Sequence, residues 1–431
     1  MMSQGRRSTQ RERLLGGMSE IAAGEGYAAA TIARVIAHAG VSRPTFYEYF
    51  TDKEDCFLAA HREIAAKLLE IVHARVSEGA PELAPQTATR ALLDFAIGEP
   101  LGAKLLICET LAAGPRALDE RDSLIGAIVE LLERARRELA PEVLSPDLPG
   151  LALIGGLHGL LAPRLRRGER SLPGLAGELE RWIECYERPA RQHRWRSLEP
   201  GPLPAASPFV SELPRSPPRP LAPGRPGLPS EEVARNQRER ILYATAEVSA
   251  RKGYNAATIA DITDGASVDP RVFYRHFRDK QQAFLAAHEL GFQHTMAVAA
   301  GAFFSVSGWS ERIWRSVLAR AQFQASHPKL THVTYVQSYA IGAPAIQRVA
   351  DTHTAFTIFL QEGNRRTDRA QSQTAMEAIV AASFEIAYHQ SRLGLAEQMP
   401  RLAYHDAYLC LAPFLGPDGA SELLDSKLGR P

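Results

Sequence analysis

Cysteine is scarce in this sequence, with four residues among 431. They are widely separated, and no Cys-x-x-Cys pair or cysteine–histidine spacing typical of a zinc site occurs. The four are Cys56, Cys108, Cys185 and Cys410. Neither a disulfide framework nor a bound metal is therefore expected, and the thiols are interpreted as buried apolar groups.

Long hydrophobic runs are also missing. Nothing approaches the roughly 18 consecutive apolar residues that a transmembrane helix needs. The N-terminal MMSQGRRSTQRERLL has arginines but no apolar stretch behind them, which does not fit a signal peptide. A cytoplasmic location without a membrane partner is the expectation.

No charge of one sign predominates, since the formal net charge is +1. Positive charge directed at a nucleic acid would therefore have to be local. Two arginine clusters do occur, each ahead of the same kind of segment. They comprise Arg6, Arg7, Arg11 and Arg13, and Arg235, Arg238 and Arg240.

The sequence does contain an internal repeat. Residues 11–61 align with residues 238–288 without a gap, and roughly half of the aligned positions are identical. Both copies read Arg-Glu-Arg, Gly-Tyr, Ala-Ala-Thr-Ile-Ala, Phe-Tyr-x-x-Phe, Asp-Lys and Phe-Leu-Ala-Ala-His. Fainter matches continue to Pro173 and Pro400, so a whole unit of about 200 residues is duplicated.

The two copies are separated by a proline-dense stretch, residues 199–230, that is poor in apolar residues. Such a composition does not bury a core and predicts a semi-extended linker. At ~3.1 Å per residue its reach is about 90 Å, which allows the halves to dock in many arrangements.

Periodicity predicts helices throughout, with no convincing strand. In the first copy a helix is expected from about Thr9 to Ala23, ended by the glycines at 24 and 26. Thr31 is the expected N-cap of a short second helix, and Gly40 provides a tight turn. The apolar stripe of the first helix comprises Leu14, Leu15, Met18, Ile21 and Ala22.

Ser42 is the expected N-cap of a third helix that has Pro44 in its first turn. Phe46 and Phe50, four residues apart, are its expected core anchors. The stretch 51–54, Thr-Asp-Lys-Glu, fits a capping box for a longer fourth helix.

The second copy follows this plan with different caps. Thr258 opens its second helix, and Ala-Ser replaces Ala-Gly in the tight turn. Asp269 is expected to cap the third helix, with Pro270 in its first position. Phe273 and Phe277 are the anchors, and Asp279 with Gln282 caps the fourth helix. Two short helices after a longer one predict a helix-turn-helix, although a generic three-helix core has the same pattern.

These residues resemble the TetR (tetracycline-repressor-like) family. The first copy reads Gly26-Tyr27, Thr31-Ile32-Ala33, Ala39-Gly40-Val41-Ser42, Tyr47-Glu48-Tyr49-Phe50 and Lys53. The second reads Gly253-Tyr254, Thr258-Ile259-Ala260, Ala266-Ser267-Val268-Asp269, Tyr274-Arg275-His276-Phe277 and Lys280. The resemblance implies an all-α fold of two tandem units, each with a helix-turn-helix head and a helical ligand-binding and dimerisation body. Members of the family are usually homodimers of chains about half this length.

The predicted domains follow the repeat. They are a first head (1–55), a first helical body (56–195), a proline-rich linker (196–231), a second head (232–282) and a second helical body (283–431).

The resemblance implies DNA contacts at matched positions. Tyr47 and Tyr274 correspond to a family tyrosine that commonly reaches a phosphate, with burial in the head core as the alternative. Lys53 and Lys280 are predicted phosphate contacts at the start of the fourth helix, with an ordinary solvated lysine as the alternative.

Base reading is predicted for side chains of the third helix, with a phosphate contact or a solvent-facing residue as the alternative. These are Ser42, Arg43 and Thr45 in the first head, and Arg271, Val272, Arg275 and His276 in the second. The capping residues Thr31, Thr258 and Asp269 complete the predicted set. Because the two third helices differ, two unlike half-sites are expected.

The bodies carry weaker signals. Glu109, His158, Gln337 and Tyr339 are candidate effector-pocket residues, with a satisfied polar group in a helical bundle as the alternative. The apolar residues 151–161 and their counterparts near residues 379–388 could form a dimer face or plain core.

The predicted function is a DNA-binding regulator, expected to be a repressor, whose partners are a double-stranded operator and a small-molecule effector. An intramolecular pseudo-dimer is preferred over a homodimer of two chains. The alternative is a ligand-sensing or protein-partner module in which one or both heads no longer bind DNA. No nucleophile–base pair or phosphate loop stands out, so neither an enzyme nor a cofactor is expected.

Overall fold

The computed structural model describes residues 2–139, 148–169, 172–186, 190–197, 206–221, 229–341 and 343–428. Every regular element in these ranges is helical, which confirms the all-α prediction. The chain divides into two compact units, Met1–Arg188 and Pro189–Pro431, in agreement with the tandem arrangement. The finer domain boundaries stay predictions.

Nine α-helices lie in the first unit. They are α1 (Met2–Glu25), α2 (Ile32–Ala39), α3 (Arg43–Tyr49), α4 (Lys53–Glu78), α5 (Ala84–Gly98), α6 (Pro100–Lys104), α7 (Pro115–Arg137), α8 (Gly150–Arg166) and α9 (Pro173–Glu184) within the described ranges. A single 3₁₀ turn, Tyr27–Ala29, follows α1, and a π-helical segment, Leu105–Glu109, follows α6.

The described part of the second unit begins with a 3₁₀ segment, Arg194–Ser197, followed by α10 (Pro208–Ser211), and then repeats the plan. Its head and the start of its body comprise α11 (Ser230–Ala256), α12 (Ile259–Ala266), α13 (Pro270–His276), α14 (Lys280–Phe304), α15 (Trp309–Ser326) and α16 (Pro328–His332). After the π-helical segment Val333–Gln337 come α17 (Ser338–Ile341), α18 (Ala343–Phe356), α19 (Ile358–Arg366), α20 (Gln373–Arg392) and α21 (Met399–Asp425).

The first head is built as its sequence predicts. Leu14, Met18 and Ala22 on one stripe of α1 are buried, and so are the anchors Phe46 and Phe50 of α3. Gly26 ends the helical run with a φ of 96°, a conformation that L side chains rarely adopt. Side chains from three helices thereby enclose one small core.

The second head uses the same devices with different residues. Gly253 interrupts α11 with a φ of 73°, at the position equivalent to Gly26. Ser267 takes the left-handed turn conformation that Gly40 takes in the first head. Phe273 and Phe277 are buried as expected. The replacement of glycine by serine therefore keeps the turn, at some cost in backbone strain.

One cap lies a residue later than predicted. Asp52, rather than Thr51, is the N-cap of α4, and its carboxylate accepts a 2.8 Å hydrogen bond from the backbone N–H of Asp55. The Thr51 backbone N–H donates in turn to the carboxylate of Asp55. Asp52 therefore caps α4 without the predicted capping box, because the Asp55 carboxylate accepts from Thr51 rather than from the backbone of the N-cap residue.

The long helices α4 and α14 run from each head into its body. In the first body α4 packs against α5 and α7, and α5 also packs against α9. In the second body α14 packs against α15, which packs in turn against α21. Each body is therefore a helical bundle.

The predicted linker, 196–231, differs from expectation where it is described. Val210 is 1% exposed, and Phe209 packs closely against Gly301 of the second unit. The hydroxyl of Tyr243 donates a 2.7 Å hydrogen bond to the carbonyl of Pro214. Residues 206–221 therefore bury apolar side chains on the second unit, because a Phe-Val pair interrupts the prolines. Residues 198–205 and 222–228 lie outside the described part of the chain.

Two equivalent histidines are buried where α4 and α14 enter the bodies. His61 and His288 end the repeated Phe-Leu-Ala-Ala-His motif and are each 1% exposed. Neither ring nitrogen of His61, nor Nδ1 of His288, has a hydrogen-bond partner among the described residues. Burial lowers the pKa of both histidines to about 4, so both rings are neutral at pH 7.

When His61 and His288 are replaced by phenylalanine, the free energy of unfolding should fall less in acid than it does in the wild type. Between pH 7 and pH 5 the unfolded histidines take up protons and the folded ones do not, so the free energy of unfolding falls as pH falls. The wild type should lose about 2 kcal/mol more per histidine than the variant over this range. Urea unfolding followed by circular dichroism measures the difference, with His73→Phe on the exposed face of α4 as the control. Parallel pH curves for wild type and double variant would contradict it.

Candidate nucleic-acid interface

The third helix of the first head is fixed by its neighbours in sequence. The Ser42 hydroxyl accepts a 3.3 Å hydrogen bond from the backbone N–H of Thr45 and lies 2.8 Å from the Thr45 hydroxyl. Thr31 caps α2 by accepting from the backbone N–H of Arg34, and Gly40 forms the left-handed turn between α2 and α3. Ser42 and Thr31 are exposed but engaged as caps, whereas Thr45 is half-buried.

Arg43 and Tyr47 form the exposed face of α3. Tyr47 is 48% exposed, so the alternative of burial in the head core does not apply to it. The Arg43 guanidinium lies 5.9 Å from the centre of the Tyr47 ring. The Arg43 guanidinium can donate hydrogen bonds to a base edge. The Tyr47 hydroxyl beside it can donate one to a phosphate.

The second head presents a more cationic face. Tyr274 is 58% exposed, and Arg271 and Arg275 are exposed on the same helix. The Asp269 carboxylate accepts a 2.7 Å hydrogen bond from the backbone N–H of Arg271, which makes Asp269 a cap. His276 is half-buried, and burial together with Arg238 and Arg275 lowers its pKa.

Val272 is not on this face, contrary to the prediction that it reads a base. It is 9% exposed and lies in the head interior beside Phe273, because it occupies the inward register of a short helix. Thr258 is the N-cap of α12, as Asp269 is of α13. It forms a capping box with Asp261, whose carboxylate also accepts a 2.5 Å hydrogen bond from the Lys252 ammonium.

The two lysines that were predicted to bind phosphate donate hydrogen bonds to backbone carbonyls of their own head. The Lys53 ammonium donates a 3.0 Å hydrogen bond to the Tyr27 carbonyl and lies 3.8 Å from the centre of the Tyr27 ring. Lys280 donates to three carbonyls, those of Tyr254, Asn255 and Ala257, at 2.8, 3.3 and 2.9 Å. Burial lowers the pKa of both lysines. They lock the turn after the first helix, which explains why this lysine recurs in the repeat.

Glu109 and Gln337, predicted to line an effector pocket, join body to head instead. Glu109 accepts a 2.8 Å hydrogen bond from the backbone N–H of Tyr27, and Gln337 accepts one of 2.9 Å from Tyr254. Each ends a π-helical segment at the equivalent position of its repeat. Burial raises the pKa of the Glu109 carboxyl. We call this contact the head–body junction.

The other two candidate pocket residues lie deeper in the bodies. His158 lines a cavity of the first body, and its Nε2 atom is 3.0 Å from the carbonyl oxygen of Ile107. Tyr339 is half-buried, with its ring 6.4 Å from that of Tyr388. The structure therefore brings His158, but not Glu109, to the cavity.

Sequence reasoning missed Arg121, which also lines this cavity. It is 4% exposed and sits in the apolar stripe of α7 between Leu118 and Ile125. A charged residue at helical spacing among apolar residues is the signal that marks it.

The described residues give no support for a metal site or for a membrane-spanning helix. No group of three or more histidine, cysteine, aspartate or glutamate side chains there could hold a metal ion. Within the same ranges, no helix combines the length and apolarity needed to cross a bilayer. The four cysteines are free thiols, three of them buried and Cys185 half-buried.

Comparison with known proteins gives two matches to one family model, described as bacterial regulatory proteins, tetR family, at residues 17–60 and 241–287. The HTH-type transcriptional repressor AcnR of Corynebacterium diphtheriae is 40% identical over 65 residues, 15% of this chain and 34% of that protein. The HTH-type transcriptional regulator TcmR of Streptomyces glaucescens is 30% identical over 99 residues, 20% of this chain and 43% of that protein. The matches thus span less than half of either relative.

Solved structures resemble this chain over one unit. The fatty acid degradation regulator FadR from Bacillus halodurans is 17% identical with a TM-score of 0.37, covering 41% of this chain and 94% of that one. The TetR family transcriptional regulator PfmR from Thermus thermophilus is 18% identical with a TM-score of 0.34, covering 44% and 100%.

Residues 17–60 and 241–287 are therefore similar to the tetR family of bacterial regulatory proteins, as the sequence resemblance indicates. The family model matches once in each of the two compact units.

Loss of the junction acceptor should loosen the head. In Glu109→Ala the buried Tyr27 N–H has no acceptor, which should lower the free energy of unfolding by about 1–3 kcal/mol and speed hydrogen exchange at the Tyr27 amide. Glu109→Gln is the matched control, because Gln337 makes the same bond in the second unit. Denaturant unfolding and amide exchange measure both effects. Equal losses in the alanine and glutamine variants would show that the bond does not matter.

Proposed function

We propose that this chain is a DNA-binding transcriptional repressor with two non-identical helix-turn-helix heads on one polypeptide. One observation carries the proposal: each head exposes a tyrosine and at least one arginine on its third helix, over a capped and anchored scaffold. Two curated proteins similar to part of this chain are named as a transcriptional repressor and a transcriptional regulator. A cytoplasmic site of action follows from this proposal.

Arg43, Arg271 and Arg275 are the proposed base readers. Arginine is the usual bidentate partner of guanine in the major groove, and it must be exposed to reach it. Tyr47 and Tyr274 are the proposed phosphate contacts. Ser42, Thr45 and His276 border these residues and stay candidates for secondary contacts.

The two heads are proposed to read unlike half-sites. Pro44 of the first head is equivalent to Arg271 of the second, and Glu48 is equivalent to Arg275. A glutamate tends to accept from a cytosine amino group, whereas an arginine donates to guanine, so the two third helices favour different bases.

Selection of bound sequences from a random duplex pool should return an asymmetric site with two half-sites about one helical turn apart. Affinity for this site should fall steeply as salt rises, because phosphate contacts release counterions. A perfect palindrome would contradict the assignment of different readers. Weak, salt-insensitive binding to every duplex would instead support the alternative of a sensing or partner module.

Substitution of single arginines tests which head binds which half-site. Arg43→Ala and Arg271→Ala should each cost about 1–3 kcal/mol of affinity and relax specificity in one half-site only. Arg134→Ala removes an exposed arginine from the first body and is the control.

We further propose that the two units form a pseudo-dimer within one chain. Both heads are carried by one polypeptide, and the tether gives each half a high effective concentration for the other. The apolar residues 151–161 of α8 and their counterparts on α20 are the proposed contact faces.

Light scattering of the purified protein should give the mass of one chain, 47.2 kDa, at micromolar concentration. A mass of two chains would support pairing of like halves between molecules, with four heads in the assembly.

A small-molecule effector is proposed to act through a helical body. The cavity beside His158 supports this proposal, because such sites are concave, mostly apolar and lined by a few polar groups.

A further inference from the structure

Residues 206–221, which we call the strap, begin on the second body. The helix α10 within the strap packs against α14 and α15. Val210 is 1% exposed, and the backbone N–H of Ser207 donates a 2.8 Å hydrogen bond to the side chain of Gln322. The residues that enclose Val210 are Val298, Ala302, Ala319 and Phe323, with Phe209 and Leu213 packed at the edge. Apolar burial and a polar contact therefore anchor the strap on this body.

The strap then reaches the first helix of the second head. The Pro214 carbonyl accepts a 2.7 Å hydrogen bond from the Tyr243 hydroxyl of α11. The Nε2 atom of His327, which belongs to the body, lies 3.1 Å from the same oxygen. The Arg219 carbonyl accepts a 3.0 Å hydrogen bond from the side-chain amide of Asn236, also on α11. Because a carbonyl oxygen has two lone pairs, Pro214 bonds to the head and to the body at once.

A glycine of α14 makes room for the strap. A Cβ atom at Gly301 would lie 2.7 Å from Cδ1 of the Phe209 ring and 3.0 Å from Cε1. Carbon atoms do not approach so closely without displacement, so a methyl group at residue 301 pushes the ring out of its position. The face of α14 thus fits the strap only while residue 301 is glycine.

The equivalent face of the first body carries an ion pair instead. The offset of the repeat along α4 and α14 places Arg75 at the position of Ala302, and the equivalence of Glu99-Pro100 with His327-Pro328 places Asp94 at that of Gln322. Arg75 and Asp94 pair with each other, and their side chains are 43% and 49% exposed. An apolar segment lying here would strip water from both charges.

The positions that bond to Pro214 differ in the same way. His327 is equivalent to Glu99, which forms an exposed ion pair with Lys67. Tyr243 is equivalent to Gly16, which has no hydroxyl to donate. Within the described residues, the apolar face, the body donor and the head donor therefore occur together in the second unit only.

We propose that the strap fixes the second head on its own body, so that this head opens from the body less readily than the first head does. Local opening requires the loss of the contacts that hold a segment. For the second head these include the Tyr243–Pro214 bond in addition to the packing of α11 on α16. The consequence for DNA, a second head of constant orientation beside a more mobile first head, rests on the proposed function. The holding of the head does not.

Gly301→Ala in the full chain tests the strap without DNA, because it displaces Phe209 and leaves the contacts inside both heads unchanged. Hydrogen exchange in α11, α12 and α13 should become at least about tenfold faster, and exchange in α1, α2 and α3 should stay as in the wild type. Gly126→Ala is the matched control. It makes the same substitution in α7, where no described atom outside the glycine's own helix lies within 4 Å of the new Cβ atom, and it should change neither head. Circular dichroism melts confirm that both variants are folded.

Trypsin shows whether the strap has left the body. It can cut the strap only after Arg215, because Arg219 is followed by proline. Cleavage there should be faster in Gly301→Ala than in the wild type, since proteolysis follows the population of the opened form. Faster cleavage without faster exchange in the second head would overturn the proposal.

A second variant covers the case in which Phe209 adapts to the new methyl group. If Gly301→Ala is cleaved at the wild-type rate, the double variant Phe209→Ala/Val210→Ala removes the anchor itself and is read by the same two measurements. Equal cleavage rates in the wild type and in both variants would show that the strap is not docked, which would also overturn the proposal.

Duplexes that carry one half-site each test the consequence for DNA. Gly301→Ala should bind the half-site that is lost in Arg271→Ala about fivefold more weakly, because a head that is no longer held loses more freedom on binding. Its affinity for the half-site that is lost in Arg43→Ala should be unchanged. Protein that shows the exchange effect but binds neither duplex would refute the proposed function and leave the strap standing. Wild-type affinity of Gly301→Ala for both half-sites after release of the strap would refute the consequence for DNA alone.

Discussion

A hydrogen bond from the backbone of each head to its own body recurs in both units. The tyrosine that follows a positive-φ glycine donates its N–H to Glu109 in the first unit and to Gln337 in the second. The lysine that opens the fourth helix binds the carbonyl of the same tyrosine from the other side. These polar contacts hold the turn after the first helix against the body, where α1 also packs against α6 and α11 against α16.

The repeat has kept this scaffold while its surfaces have diverged. Both heads retain the Gly-Tyr turn, the two phenylalanine anchors and the locking lysine, although Ser267 replaces Gly40 and the caps differ. The exposed face has changed from Arg43 with Glu48 to Arg271 with Arg275. Packing constrains the buried positions to nearly the same shapes, whereas exposed positions are free to differ.

The bodies have diverged in how they accommodate a buried cation. In the second, Arg320 is satisfied by Asp406 and Ser383 inside the protein. In the first, Arg121 stands in the wall of an apolar cavity that is joined to the head through Leu106 and Glu109.

The sequence by itself determined the helices, their caps and the phenylalanine anchors, because these depend on residues within one or two turns of each other. It also determined the duplication and the resemblance of both heads to the tetR family. Tertiary structure alone decided which groups surround Lys280, Val272, Glu109 and Arg121. A lysine in a first turn can face a phosphate or a carbonyl, and only the position of the preceding loop selects between them. Val272 faces inward and Arg121 faces a cavity because of helices distant in sequence, which local periodicity does not encode.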